Sequence, residues 1–321
     1  MKVLILAALT SLATFAAVAQ TDYPARPIKL ISTSAPGSAG DVLARMLGEK
    51  MGASMKGTFV IDNRPGAGGL VAVEATAKAP PDGYTIILGV ASAFVIMPAI
   101  RPNMPYNALK DFTYMGQVGT APGVLVAAID FPANNLQELI ALAKTRPDLQ
   151  YASWGIGSTG HLCGEMLNQR AGIRIQHIPY KAVAQIQTDL YGGHIRLAQV
   201  DGGSAPAMVR SGKVKALGTC TGRHVALPNV RSYEEEGISD AEKRIGQFRF
   251  GLYAPAGTPK AIADRIEAAL KSALDLPDVK SKMLEMGIQP AFLPGETVYE
   301  MTAREIDLWR KLAETASIKL D

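Results

Sequence analysis

Two segments, Pro36-Gly37-Ser38-Ala39-Gly40-Asp41 and Gly155-Ile156-Gly157-Ser158-Thr159-Gly160-His161, concentrate the residue types that bind anions. Each is read as joining the end of an apolar strand to the start of an amphipathic helix. Backbone N–H groups are then left unpaired at the positive end of a helix dipole. Two such loops, one per domain, would grip a carboxylate from both sides.

Sharper chemistries are weighed at the same residues. Gly155 to Gly160 fits the G-x-G-x-x-G spacing of a dinucleotide site, but that site needs an acid about 20 positions on, at the end of the next strand. Here that strand ends Ile178-Pro179-Tyr180-Lys181, with no carboxylate. Ser158 and His161 suggest a serine hydrolase, yet no G-x-S-x-G elbow surrounds the serine and no acid is placed to orient the histidine. The favoured reading has Ser158 or Thr159 capping a helix, with His161 in its first turn. His161, His177, His194 and His224 are dispersed without ligand spacing, so neither a metal nor another cofactor is expected.

Other candidates sit at strand ends. Asp201 follows an apolar strand and precedes two glycines, so it either points into a crevice or caps the next helix. Ser92 and Phe94 follow the strand Tyr84 to Val90, and Trp154 lies just before the second loop. Arg249, between Phe248 and Phe250, alternates onto the face opposite both; there it would clamp a second carboxylate or lie on the surface. Asn63-Arg64-Pro65-Gly66-Ala67-Gly68-Gly69 lacks the lysine and hydroxyl of a phosphate loop and is read as mainly a structural turn.

The elements that position these residues alternate along the chain. Strands are expected at 28–34, 58–61, 84–90, 124–128, 150–154, 175–178, 195–200, 214–219 and 248–254. Apolar stripes at Val42, Leu43, Met46 and Leu47, at Leu136, Leu139, Ile140 and Leu142, and at Leu162, Cys163, Met166 and Leu167 mark helices, with Asp41, Asn135 and Thr159 as caps. The last third is helical, with little strand. This alternation predicts an α/β fold with mostly parallel sheets covered on both faces, and ligands beyond the carboxyl ends of the strands. A crossing near 118–126 and a return near 248–254 divide the chain at a hinge: residues 20–121 plus 250–321 form domain 1, and 122–249 form domain 2.

Lys2, the apolar run from Val3 to Val18 and the small-x-small pattern Ala17-Val18-Ala19 predict a signal peptide over residues 1–19, cleaved before Gln20. A residue other than cysteine at position 20 argues against a lipoprotein, and no later stretch is long and apolar enough to span a membrane. A free, monomeric periplasmic protein is expected. The 321 residues, 48% hydrophobic, suit two domains, and a formal charge of +4 without basic runs disfavours nucleic acid. An oxidising compartment permits a disulfide between Cys163 and Cys220, but spacing does not place them within bonding distance, and unpaired, buried cysteines are the favoured reading.

Taken in series, Tyr23-Pro-x-Arg-Pro-Ile, Pro36-Gly37 to Asp41, Asn63 to Gly68, Pro81-Asp82-Gly83-Tyr84-Thr85, His177 to Lys181 and Ala254 to Pro259 resemble the Bug family. These are periplasmic solute receptors of tripartite tricarboxylate transporters. The resemblance spans the mature chain. It implies a non-enzymatic Venus-flytrap protein that closes on a small carboxylate and delivers it to membrane permease subunits. Carried over, it maps the two loops onto Pro36 to Asp41 and Ser153 to His161, with Asp201 near the ligand; joined to the strand-end candidates, the expected ligand site is Ser34, Pro36, Gly37, Ser38, Ala39, Asp41, Ser92, Phe94, Trp154, Gly157, Ser158, Thr159, His161, Asp201 and Arg249. Ser38 stands where the family usually has a second glycine, and Arg249 where an aromatic is common. With the bulky Phe94 and Trp154, these departures point away from citrate and towards an aromatic carboxylate such as terephthalate. The alternatives are a periplasmic serine hydrolase and a receptor serving a sensor kinase.

Overall fold

The computed structural model describes residues 23–101, 103–238 and 247–316. The expected signal peptide lies outside the described residues. Strands β1 (Ile28–Ser32), β2 (Phe59–Asn63), β3 (Thr85–Val90), β4 (Phe112–Pro122), β10 (Gln247–Pro255) and β11 (Gln289–Leu293) form a six-stranded sheet in the order β11-β4-β10-β3-β1-β2. Strands β5 (Val124–Ala128), β6 (Gln150–Ser153), β7 (Gln176–Pro179), β8 (Leu197–Val200) and β9 (Val214–Thr219) form a second, ordered β7-β6-β8-β5-β9. The chain passes between the sheets at Gly123, which separates β4 from β5.

Each sheet contains a parallel triplet, β2-β1-β3 in one and β7-β6-β8 in the other. The remaining strands run antiparallel: β10 pairs so with β3 and β4, and β5 with β8 and β9. Both sheets are therefore mixed rather than mostly parallel. A parallel neighbour requires a helical crossover, whereas the strands that cross between sheets enter from the other side without one.

Helices cover these sheets because their apolar stripes have nowhere else to go. In α1 (Ala39–Met55), Leu43, Leu47 and Met51 are buried in one core with Ile266, Leu270 and Leu274 of α8 (Lys260–Asp275) and with Leu30, Ile86 and Leu88 of the sheet. Each such leucine or isoleucine contributes about 2 kcal/mol through burial. In the second lobe, Leu136 and Leu139 of α4 (Leu136–Ala143) and Leu167 of α5 (Thr159–Ala171) pack with Leu125, Leu197 and Leu217. The cysteines are not free. Cys163 on α5 and Cys220, directly after β9, form a disulfide. Their positions within one apolar cluster bring together two residues that lie 57 apart in the chain.

Candidate functional site

The two glycine loops are conformational copies. Gly37 and Gly157 have φ of 79° and 73°, a left-handed conformation that favours glycine. The following serines, Ser38 and Ser158, sit at (−75°, 166°) and (−72°, 158°) as the N-cap residues of α1 and α5. Ser38 N–H donates to Ala35 O and Ser158 N–H to Gly155 O, both at 3.2 Å. The glycine amides fold back onto the side chain four residues on: Gly37 N–H to Asp41 Oδ2 at 2.9 Å, and Gly157 N–H to His161 Nδ1 at 3.2 Å. The expected caps Asp41 and Thr159 thus lie inside their helices, one residue or more past the cap.

The copies differ in what they leave open. Ser158 Oγ accepts the His161 N–H at 3.2 Å, so α5 is capped by its own side chain. Ser38 Oγ instead donates to Ala35 O, and α1 starts with no side-chain cap. At α5 the ring of Trp154 lies against Gly160, where any Cβ would overlap it; at α1 the corresponding neighbour of Gly40 is the small Ser34. The second helix start is covered by an indole, and the first by a hydroxymethyl.

One cleft gathers Thr33, Ser34, Ala35, Ser38 and Gly40 of the first loop with Pro65, Gly66, Gly68 and Gly69, and with Trp154, Lys181 to Ala184, Asp201, Val90 and Phe250. Of the residues expected from sequence, Ser34, Ser38, Trp154 and Asp201 line it. Gly157, Ser158, Thr159 and His161 do not; they build the start of α5, whose Gly160 lies against the Trp154 ring. Pro36 and Gly37 lie exposed at the loop tip and Ala39 follows the cap. Asp41 braces the loop: its carboxylate takes hydrogen bonds from Gly37, from Arg45 Nε at 3.1 Å and from Asn63 Nδ2 at 2.9 Å. Burial opposes its charge, but those donors hold the carboxyl below its usual value.

Three positions depart from expectation. Phe94 is fully buried, stacked on Tyr253 at 3.7 Å between ring centroids in an aromatic cluster away from the cleft. Arg249 is neither a ligand clamp nor a surface group, being buried in a bidentate pair with Glu305 at 2.9 and 2.6 Å. Phe250 takes the cleft side, so Arg249 is turned by strand alternation to the opposite face. Ser92 is buried and donates to Gly68 O at 2.9 Å, fixing the third glycine stretch. That stretch is no mere turn, since it forms one wall of the cleft and Gly68 approaches Gly155 of the other lobe.

Lys181 and Ala182 to Ala184 were not anticipated as site residues. Val183 and Ala184 open α6 (Val183–Tyr191), whose N-terminus carries no side-chain cap. Their signal was available, because β7 is a parallel strand whose carboxyl end must face the same crevice as those of β1 and β6. Two uncapped helix starts from opposite lobes therefore meet one cavity beside a lysine, which is chemistry for an anion with charge at both ends.

Asp201 adds a titratable group. It is buried, it accepts the Ser204 N–H at 2.9 Å, and burial pushes its carboxyl above the ordinary range. The neutral form favoured at low pH is lost as pH rises through that raised value, and a carboxylate then faces an anionic ligand. Carboxylate affinity of the wild type should fall as pH rises through the raised range of Asp201, while Asp201→Asn should flatten the profile; calorimetric titration across pH checks this.

Hydrolysis has no geometry here. Ser158 is fully buried with its hydroxyl on a backbone amide, and the His161 ring is turned to Gly157 and stacked on His177 at 4.2 Å.

The fold and cleft define a class: a two-lobed α/β solute-binding protein with its ligand cleft between the lobes. Residues 43–317 match the model of the tripartite tricarboxylate transporter family receptor, TctC, and the chain belongs to that family. A UPF0065 protein of Bordetella pertussis is 36% identical over 270 residues, covering 84% of this chain and 82% of the relative. The structure of the periplasmic binding protein BugD matches with a TM-score of 0.85 at 31% identity over 92% of this chain and 99% of that one. Rpa4515 of R. palustris with adipate matches at 0.86 and 29% identity, over 93% and 99%. The family is one of receptors, not of enzymes.

Proposed function

We propose that this receptor captures a dicarboxylate between its lobes, residues 20–121 plus 250–321 and residues 122–249, in the periplasm, and delivers it as a monomer to the permease subunits of a tripartite transporter. The observation that carries the reading is the convergence of uncapped α1 and α6 on one cleft that also holds Lys181. One carboxylate takes the open amides of Ala39, Gly40 and Asp41 with the Ser34 hydroxyl. The other faces Lys181 and the amides of Val183 and Ala184. Closure removes both from water, where such charge-assisted bonds are strongest. The structure solved with adipate, a dicarboxylate, supports this class for a relative.

The aromatic preference now rests on Trp154, because Phe94 and Arg249 are engaged elsewhere. Pinned against Gly160, the indole offers a flat, rigid wall of the cleft. Adipate and terephthalate are the two probes for calorimetry. At least one should bind, and Lys181→Met should weaken it about ten-fold while leaving a monocarboxylate such as benzoate nearly unchanged. Binding of neither probe, with binding of an uncharged solute instead, would overturn the reading.

A further inference from the structure

Arg249 was set apart by sequence and is unused by the cleft, yet its partner leads to a contact between the lobes. Glu305 lies on α10 (Gly295–Ala316), the C-terminal helix, which packs on β4 and α3 (Met97–Ile100) of the first lobe. The pair is almost dry, with side-chain exposures of 7% and 15%, and Arg249 sits on β10, the strand that returns the chain to the first sheet. Removing one partner of such a pair leaves an uncompensated buried charge. Its geometry therefore sets where α10 lies against the sheet.

Four residues beyond Glu305, on the same face of the helix, comes Trp309. Trp309 packs against three apolar clusters at once: the aromatic cluster of the first lobe, the core of the second, and a small cluster of Ile96, Ile100 and Leu162. That last cluster joins the lobes, because Ile96 and Ile100 follow β3 whereas Leu162 is on α5, one residue past His161. A motion that parts the lobes on this face exposes all four side chains to water, which apolar burial opposes.

We propose that the C-terminal helix is a strut between the lobes. The Arg249–Glu305 pair sets its position, and Trp309 with Leu162 sets how readily the lobes separate, so residues outside the cleft position its two walls and govern affinity. The inference requires only that two lobes meet here, and it stands whatever the ligand.

The chain has two tryptophans, so Trp154→Phe leaves Trp309 as a single reporter. In that background, without ligand, Leu162→Ser and Glu305→Gln should red-shift Trp309 emission, raise its acrylamide quenching constant about two-fold, and increase the radius of gyration in solution scattering. Leu274→Ala, a core substitution in α8 remote from the strut, should destabilise the protein without changing any of these. Glu305→Gln decides the matter if Leu162→Ser fails to fold. Unchanged emission, quenching and radius in a folded Glu305→Gln protein would overturn the proposal.

Discussion

Replacing Cys163 and Cys220 together by alanine should lower the unfolding free energy by about 4 kcal/mol and the melting temperature by roughly 10 °C. The bond closes a loop of 57 residues, and in the chain-entropy account the cost of losing it grows with that length. It also ties α5, which supports Trp154, to β9 on the far side of the second sheet. The loss should therefore fall on the second lobe. Both sulfurs lie in residues no more than 1% exposed, so a reductant should act slowly on the native protein and quickly once it is partly unfolded. Differential scanning calorimetry of the double variant, with and without reductant, measures the effect; identical melting with the wild type would show that the bond adds nothing to the fold.

The largest effect on binding is expected from Gly203→Leu. Gly203 belongs to the second lobe, and a Cβ there would lie 2.7 Å from the Ala39 Cβ at the start of α1 in the first. Ala39 has no rotamer with which to yield, and it is set in a helix. The lobes must therefore move apart, which separates the first loop from Lys181 and α6. Affinity for the preferred carboxylate should drop about 100-fold, or ~2.8 kcal/mol, with the melting temperature of the unliganded protein little changed. Gly203→Ala should show a smaller loss in the same direction. Retained affinity in the leucine variant would mean that this approach plays no part in closure.

Much of the fold is legible in the sequence. The strands 124–128 and 214–219 have the observed bounds because each is a short apolar run between polar or glycine-containing segments. Asn135 caps α4 as expected, accepting the Glu138 N–H. Strand β4 is not legible as a strand, because Gly116 and Gly119 interrupt its apolar pattern; both face close neighbours from the β11 segment where a side chain would collide. Strand β11 was hidden by Pro290, which is tolerated since β11 lies at the sheet edge.

The site was legible in part for a similar reason. Residue types located the loops and showed that they repeat, but not which copy is open. That depends on whether a serine or a tryptophan covers the glycine one turn into the helix, a packing fact between Ser34 and Gly40, and between Trp154 and Gly160. Alternation correctly separated Arg249 from Phe250 but carried no information on which face meets the cleft. The pairing of Cys163 with Cys220, like that of Arg249 with Glu305, 56 residues away, is a tertiary distance that spacing does not encode.

If backbone amides at the uncapped starts of α1 and α6 hold the ligand, their chemical shifts record its arrival. On adding the tightest-binding carboxylate to 15N-labelled protein, the amides of Ala39, Gly40, Asp41, Val183 and Ala184 should move most and shift downfield together. The same titration leaving those five in place, while shifts concentrate around His161 or outside the cleft, would contradict the account.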